Sequence, residues 1–286
     1  MIWLLLAILS STIILILFKL LKRYNIPTLN VIIVNYLTAS VLGFLLTQRA
    51  PASEISLSTW FLPAVGIAVI FIVSFFLIAY SSQNIGISVT SVAAKMSVIV
   101  PVAFSIIYYQ EPVNTLKIAG MVLALFAVFI SVYRKEREKF VAKSMLIPVA
   151  IFLLMGTCDS LIKFAQGAFV PDDVAPVFSA SIFAVAFVLG LVYIVTKPSQ
   201  FTEFRKLPVW WAGILLGAVN FGSVYFIILA LNSRFVDGSI VFGVVNIGVV
   251  GLSVIIGKFA FAEKLSALNI AGVILAVTSI VLLMLS

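Results

Sequence analysis

Hydrophobic positions run in long, nearly unbroken stretches along this chain, each closed by charge, proline or asparagine. A bilayer crossing takes about 20 apolar residues. Ten stretches of that order can be marked, at residues 2–20, 30–47, 60–82, 88–109, 115–133, 145–166, 175–195, 209–231, 238–257 and 267–285. The gaps between them are too short for a soluble domain. The pattern therefore predicts an all-α integral membrane protein with ten transmembrane helices. The run opening at Ile2 lacks the positive leader and small-residue cleavage site of a signal peptide, so it reads as a retained span.

Composition narrows the chemistry. Hydrophobic residues make up 63% of the chain, against roughly 45–50% in soluble domains, which excludes a soluble globule. Histidine is absent, which removes Ser-His and Cys-His hydrolases, His-ligated zinc and His-held haem, and with them most membrane enzymes. The lone Cys158 has no intramolecular disulfide partner and reads as a small packing residue. There is no glycine-rich phosphate loop and no acidic calcium loop, so neither cofactor nor metal is expected, and transport energy would come from a gradient or exchange.

The net charge of +8 needs no nucleic-acid partner, because its distribution is topological. One set of loops carries Lys19, Lys22, Arg23, Arg134, Lys135, Arg137, Lys139, Lys143, Lys197, Arg205, Lys206, Lys258 and Lys264; the other carries Arg49, Lys117 and Arg234. Short cytoplasmic loops hold the cationic excess, which predicts external termini in the cell (inner) membrane. The charged run from Arg134 to Lys143 is the natural linker between two halves, residues 1–137 and 144–286.

Those halves repeat one another. Glu111-Pro-Val-Asn-Thr-Leu-Lys-Ile-Ala-Gly120 aligns without a gap on Glu263-Lys-Leu-Ser-Ala-Leu-Asn-Ile-Ala-Gly272, and Gly86 falls on Gly238 in the same register. Phe18-Lys-Leu20 and Ile162-Lys-Phe164 mark the ends of spans one and six. Five spans per half is an odd number, so the second half enters the membrane in the opposite sense. Inverted repeats of this kind hold a solute near the bilayer midplane between the halves.

Glu111 lies ten positions after Pro101, and Leu116 to Gly120 then open span five. This arrangement resembles the repeated unit of EamA-like transporters in the drug/metabolite transporter superfamily, over essentially the whole chain. Gly156-Thr157 followed by Lys163 looks like that family's G-[ST] and lysine at the end of each half's first span; span one keeps Lys19 without the glycine, and Ser253 stands where the family pattern places proline. The resemblance implies two inverted five-helix repeats moving small organic solutes such as amino acids, sugars, nucleotide sugars or drugs, often outward. Members are commonly drawn with cytoplasmic termini, whereas the charge count gives external ones, and we follow the count.

Polar groups inside a span need a partner, a cavity or a route to the interface. Lys95 in span four shares a helical stripe with Ser88, Ser91 and Ser105, which points to a cavity lining or, alternatively, to a lysine snorkelling to the surface. In span nine Ser239, Gly243, Asn246 and Ser253 share a face, and Asn246 falls within one residue of the symmetry position of Lys95. Asn246 would read a solute or bond a neighbouring helix. Asp159 and Lys163 lie four apart on span six, as a structural ion pair or as a proton-coupling carboxylate with its controlling cation. Asn35 and Thr38 in span two, and Asn220 and Tyr225 in span eight, are further cavity candidates. Glu111 and Glu263 are expected to cap the helices that follow them. Gly120 with Ala124 and Gly272 with Ala276 are small-residue pairs for packing spans five and ten, or for a homodimer through them.

The expectation is a secondary transporter, exporter or exchanger, for a small organic metabolite, amino acid or drug, with an anionic or carboxylate-bearing solute favoured by Lys95. The alternative is a lipid scramblase or passive channel, which would need a continuous polar groove or pore.

Overall fold

The structure, a computed structural model, describes residues 2–46, 61–132, 142–169, 175–232 and 238–286. Every element is helical: α1 (Ile2–Arg23), α2 (Thr28–Leu45), α3 (Phe61–Asn84), α4 (Ile87–Met96), α5 (Ile99–Tyr108), α6 (Thr115–Val132), α7 (Ala142–Ala168), α8 (Ala175–Val195), the short α9 (Pro198–Phe201) with a 3₁₀ turn, α10 (Leu207–Asn232), α11 (Gly238–Ala260) and α12 (Ala267–Met284). Among the described residues nine helical stretches are long and apolar enough to cross a bilayer, α4 and α5 counting together as one, and α6 is a shorter apolar helix. The ten expected spans are therefore present, to within a few residues at their ends. The spans are apolar all round, as helices immersed in lipid are.

Span four is the exception. It is not one helix but two ten-residue halves, α4 and α5, separated at Ser97–Val98. Pro101 carries no N–H and its ring crowds the carbonyl four residues back, which belongs to Ser97. That carbonyl accepts instead from Val100 N at 2.9 Å, a tighter turn. Span nine, with Ser253 at the equivalent place, runs unbroken as α11.

Hydrogen bonds fix which helix ends share a face. Lys22 donates to Asn84 at 2.6 Å and Gln83 to the Phe18 carbonyl at 3.0 Å, so the end of α1 and the end of α3 lie together on what we call the cation-rich face. Asn114 donates to the Ser286 carbonyl at 2.9 Å, joining the α5–α6 turn to the chain's end on the opposite, terminal face.

The halves interleave rather than forming separate bodies. One core joins α1, α2 and α3 to α7, α8 and α10 around Phe18, Tyr36 and Phe178, each fully buried; the Tyr36 hydroxyl donates to the Phe71 carbonyl at 3.1 Å. A second joins α4, α6, α11 and α12 through Val92, Met96, Ala124, Val250 and Ala276. Here the small-residue pairs find their use within one chain. Gly120 accepts from the Ser279 hydroxyl at 2.8 Å, and Gly272 sits so close to Ser131 that a Cβ would lie 2.8 Å from its backbone nitrogen. Intramolecular packing of α6 on α12 thus uses these small-residue pairs within the chain.

Candidate solute site

The break in span four organises the middle of the molecule. Gly156 of α7 packs into it: a Cβ there would lie 2.5 Å from the Val100 side chain and 2.8 Å from the Ser97 carbonyl oxygen. Three residues on, α7 presents Asp159. Lys95, in the last turn of α4, interacts electrostatically with that carboxylate. The close approach at Gly156 therefore brings a cation from the first half beside an anion from the second.

Asp159 lies deep in the protein yet is exposed, and the helical wheel explains how. Leu146, Val149, Leu153 and Leu161 are exposed along one stripe of α7, the lipid-facing one. At 100° per residue, Asp159 points to roughly the other side. Its accessible surface therefore lies away from the lipid-facing stripe. Lys95 is half-buried, and so is Asn246 on α11. Asn246 stands one turn from Val250, which packs in the same core as Val92 and Met96 of α4. No hydrogen bond joins the Lys95 ammonium, the Asp159 carboxylate or the Asn246 amide to another described residue.

The other expected site residues take different places. Asp159 and Lys163 share a face but not a bond. Lys163, one turn nearer the terminal face, reaches out along its flexible stem to Glu111 at 3.2 Å and to the Ser105 hydroxyl, with its ammonium 5.4 Å from the Tyr109 ring. Asp159 is left facing Lys95. Asn35 and Asn220 bond to each other at 3.1 Å, buried between α2 and α10, and so join those two helices. Thr38 returns its hydroxyl to the Val34 carbonyl at 2.9 Å, and Ser91 is buried and donates to the Ser88 carbonyl at 2.9 Å. Tyr225 stacks on Phe221.

Neither glutamate caps the helix that follows it. A capping box of Ser266 and Asn269 starts α12, and the Asn114 side chain accepts from Lys117 N at the start of α6. Glu263 instead crosses to the other half, accepting from Ile87 N at 2.7 Å and from the Ser88 hydroxyl at 3.1 Å at the start of α4, and pairing with Lys19 at 3.2 Å.

A lateral cleft of 470 Å³ opens between α5 and α7, walled by Val100, Phe104, Tyr108, Leu161 and Phe164 with only Thr157 and Ser160 polar. It offers apolar contact next to the kink and no continuous polar track.

Fold and site together define a ten-span helical membrane protein built from two inverted five-helix repeats, with opposite charges held at the junction. The sequence model of the EamA-like transporter family matches residues 1–133, the first of the two repeats. The chain is also similar to an uncharacterised protein of Haemophilus influenzae, 28% identical over 96% of this chain and 94% of that one. A solved crystal structure shares the fold with a TM-score of 0.59 at 16% identity, covering 98% of this chain and 94% of its own.

Proposed function

We propose that this membrane transporter works by secondary-active alternating access, as an exporter or exchanger of a small organic metabolite, amino acid or drug held between Lys95, Asp159 and Asn246. One observation carries the reading: Gly156 seats α7 against the break in span four, which brings Asp159 of the second repeat and Lys95 of the first to the junction of the two repeats, with no hydrogen bond from either to another described residue. Charges left this way inside a membrane protein are costly unless they do work. In the empty protein each offsets the other. A carboxylate-bearing solute takes Lys95 as its partner and releases Asp159, which is then free to accept a proton or to hold a cationic group of the same solute. Asn246 adds a group that both donates and accepts.

The apolar walls of the α5–α7 cleft favour this reading over a scramblase or open channel, which would need a polar groove through the bilayer. The charge count supports external termini, with the cation-rich face in the cytoplasm of a cell bounded by this inner membrane.

The test is a thermal-shift screen of the purified protein against metabolites, since a ligand that binds the folded state raises its melting temperature. A hit is then repeated on Lys95→Met, which keeps most of the stem and removes the charge. Loss of one charged hydrogen bond, about 1.5–3 kcal/mol, lowers solute affinity roughly 10- to 100-fold. Unchanged affinity in both Lys95→Met and Asn246→Ala removes the site from this position.

A further inference from the structure

Two ion pairs join the repeats, and they are copies of each other. Lys19, at the end of the first repeat's first span, meets Glu263 of the second repeat at 3.2 Å. Lys163, at the end of the second repeat's first span, meets Glu111 of the first repeat at 3.2 Å. The same backbone device presents both glutamates. The residues just before them, Gln110 and Ala262, hold left-handed φ angles of 55° and 50°. The amides of Glu111 and Glu263 then reach back six residues, to the Ser105 carbonyl at 3.5 Å and the Gly257 carbonyl at 2.9 Å. A left-handed alanine is strained by its Cβ, so the motif at Ala262 is kept by its surroundings. Because the repeats are inverted, one pair lies at the cation-rich face and its copy at the terminal face.

The two copies are not in the same condition. At the cation-rich face the side chains are mostly covered, 22% exposed for Lys19 and 11% for Glu263. Glu263 is there seated on the first turn of α4, where the free amides and helix dipole favour an anion. Room for it is made by two glycines: a Cβ at Gly86 would lie 3.0 Å, and one at Gly257 2.6 Å, from the carboxylate. At the terminal face Lys163 is 47% and Glu111 40% exposed. The stripe of span four touches both, with Ser88 at the first and Ser105 at the second.

We propose that these pairs are a matched set of latches, one for each face, that close in turn. In the arrangement described here the Lys19–Glu263 latch is shut on the N-terminus of α4 and the Lys163–Glu111 latch is loose, so the central cavity communicates with the terminal face. In the opposite arrangement Glu111 seats on the equivalent first-turn amides of α11, at Ser239 and Ile240, while Glu263 leaves α4. Since α4 carries Lys95, unseating Glu263 also frees the half-helix that holds the proposed solute cation. This rests on the alternating-access reading above.

The experiment reads access without needing a solute. A single thiol is placed at Asn246 in a Cys158→Ala background, and the full chain in sided vesicles is labelled with a membrane-impermeant maleimide. The parent is expected to label from the terminal face and slowly from the cation-rich face. Glu263→Gln and Lys19→Met each raise labelling from the cation-rich face about tenfold or more, the size of a lost charged hydrogen bond, while Lys163→Met leaves it unchanged. Lys19→Met keeps Glu263 on its amides, so it reports the latch even if Glu263→Gln fails to fold. Equal labelling of the parent from both faces overturns alternating access itself. One-sided labelling that neither Lys19→Met nor Glu263→Gln alters, or that Lys163→Met raises at the cation-rich face, overturns the latches alone.

Discussion

The Asn220 side chain donates to the Asn35 side-chain oxygen at 3.1 Å, with both residues buried between α2 and α10. An amide pair in this position holds two helices of opposite repeats in register. Truncating Asn220 to Ala leaves the Asn35 oxygen without its partner. A membrane-embedded hydrogen bond is worth about 0.6–2 kcal/mol. Asn220→Ala is therefore expected to lower the melting temperature measurably and to leave solute affinity alone; a variant that melts normally and loses its solute would return Asn220 to the cavity.

Lys95 and Asp159 make a sharper case, because each compensates the other. Removing one partner leaves the other charge uncompensated, whereas replacing both by neutral groups is milder; with Asp159 exposed and Lys95 half-buried, the cost falls below the roughly 3–5 kcal/mol of a fully buried pair. Asp159→Asn and Lys95→Met should each destabilise the protein more than the double variant does. Melting curves of the three close a double-mutant cycle, and additive losses would show that the two groups do not feel each other.

Gly156 sets how closely α7 approaches the kink. A methyl group there would meet the Val100 side chain at 2.5 Å and the Ser97 carbonyl at 2.8 Å, and the backbone carbonyl cannot swing aside as a side chain tip could. Overpacking of this kind costs about 1–3 kcal/mol. Gly66 of α3 has nothing within 4 Å of its would-be Cβ, so Gly66→Ala should be neutral or gain up to about 1 kcal/mol from helix propensity. Comparing the two melting temperatures separates close packing from a general intolerance of alanine.

Orientation is open to direct measurement. The bond from Asn114 to the Ser286 carbonyl ties the C-terminus to the α5–α6 turn, on the face opposite Lys22 and the end of α3. A reporter fused after Ser286 is expected to behave as external, by the excess of lysine and arginine in short cytoplasmic loops. Activity of a cytoplasm-only reporter at that position would reverse the assignment of both faces.

Much of the fold is written in the chain, because lipid demands about 20 apolar residues per crossing and leaves little else to choose. The break in span four is harder to read. Pro148 lies inside α7 without interrupting it, whereas Pro101 splits span four; membrane helices tolerate proline when neighbours satisfy the freed groups. At the break Gly156 seats against Ser97, a contact visible only in three dimensions. Charge pairing fails for a similar reason. The spacing of Asp159 and Lys163 favours a local pair, but their partners come from other helices. Glu263 finds Lys19 244 residues away, a contact that no helical periodicity encodes. Lys95, Asn246 and Asp159 were legible as intramembrane polar groups, while the approach of Asp159 to Lys95 was not.

Two identical inverted repeats would give a protein whose two end states are mirror arrangements of equal free energy, occupied half and half at rest. This chain breaks that degeneracy at many positions, and Pro101 against Ser253 is one of them. Pro101 gives span four a joint, and Ser253 leaves α11 a rigid rod. The two strokes of a cycle built on these helices are then mechanically different, one bending and one pivoting, and need share neither a rate nor a temperature dependence. Every 1.4 kcal/mol between the end states shifts their ratio about tenfold, so a joint in one repeat without a counterpart in the other adds to the difference between the two sides.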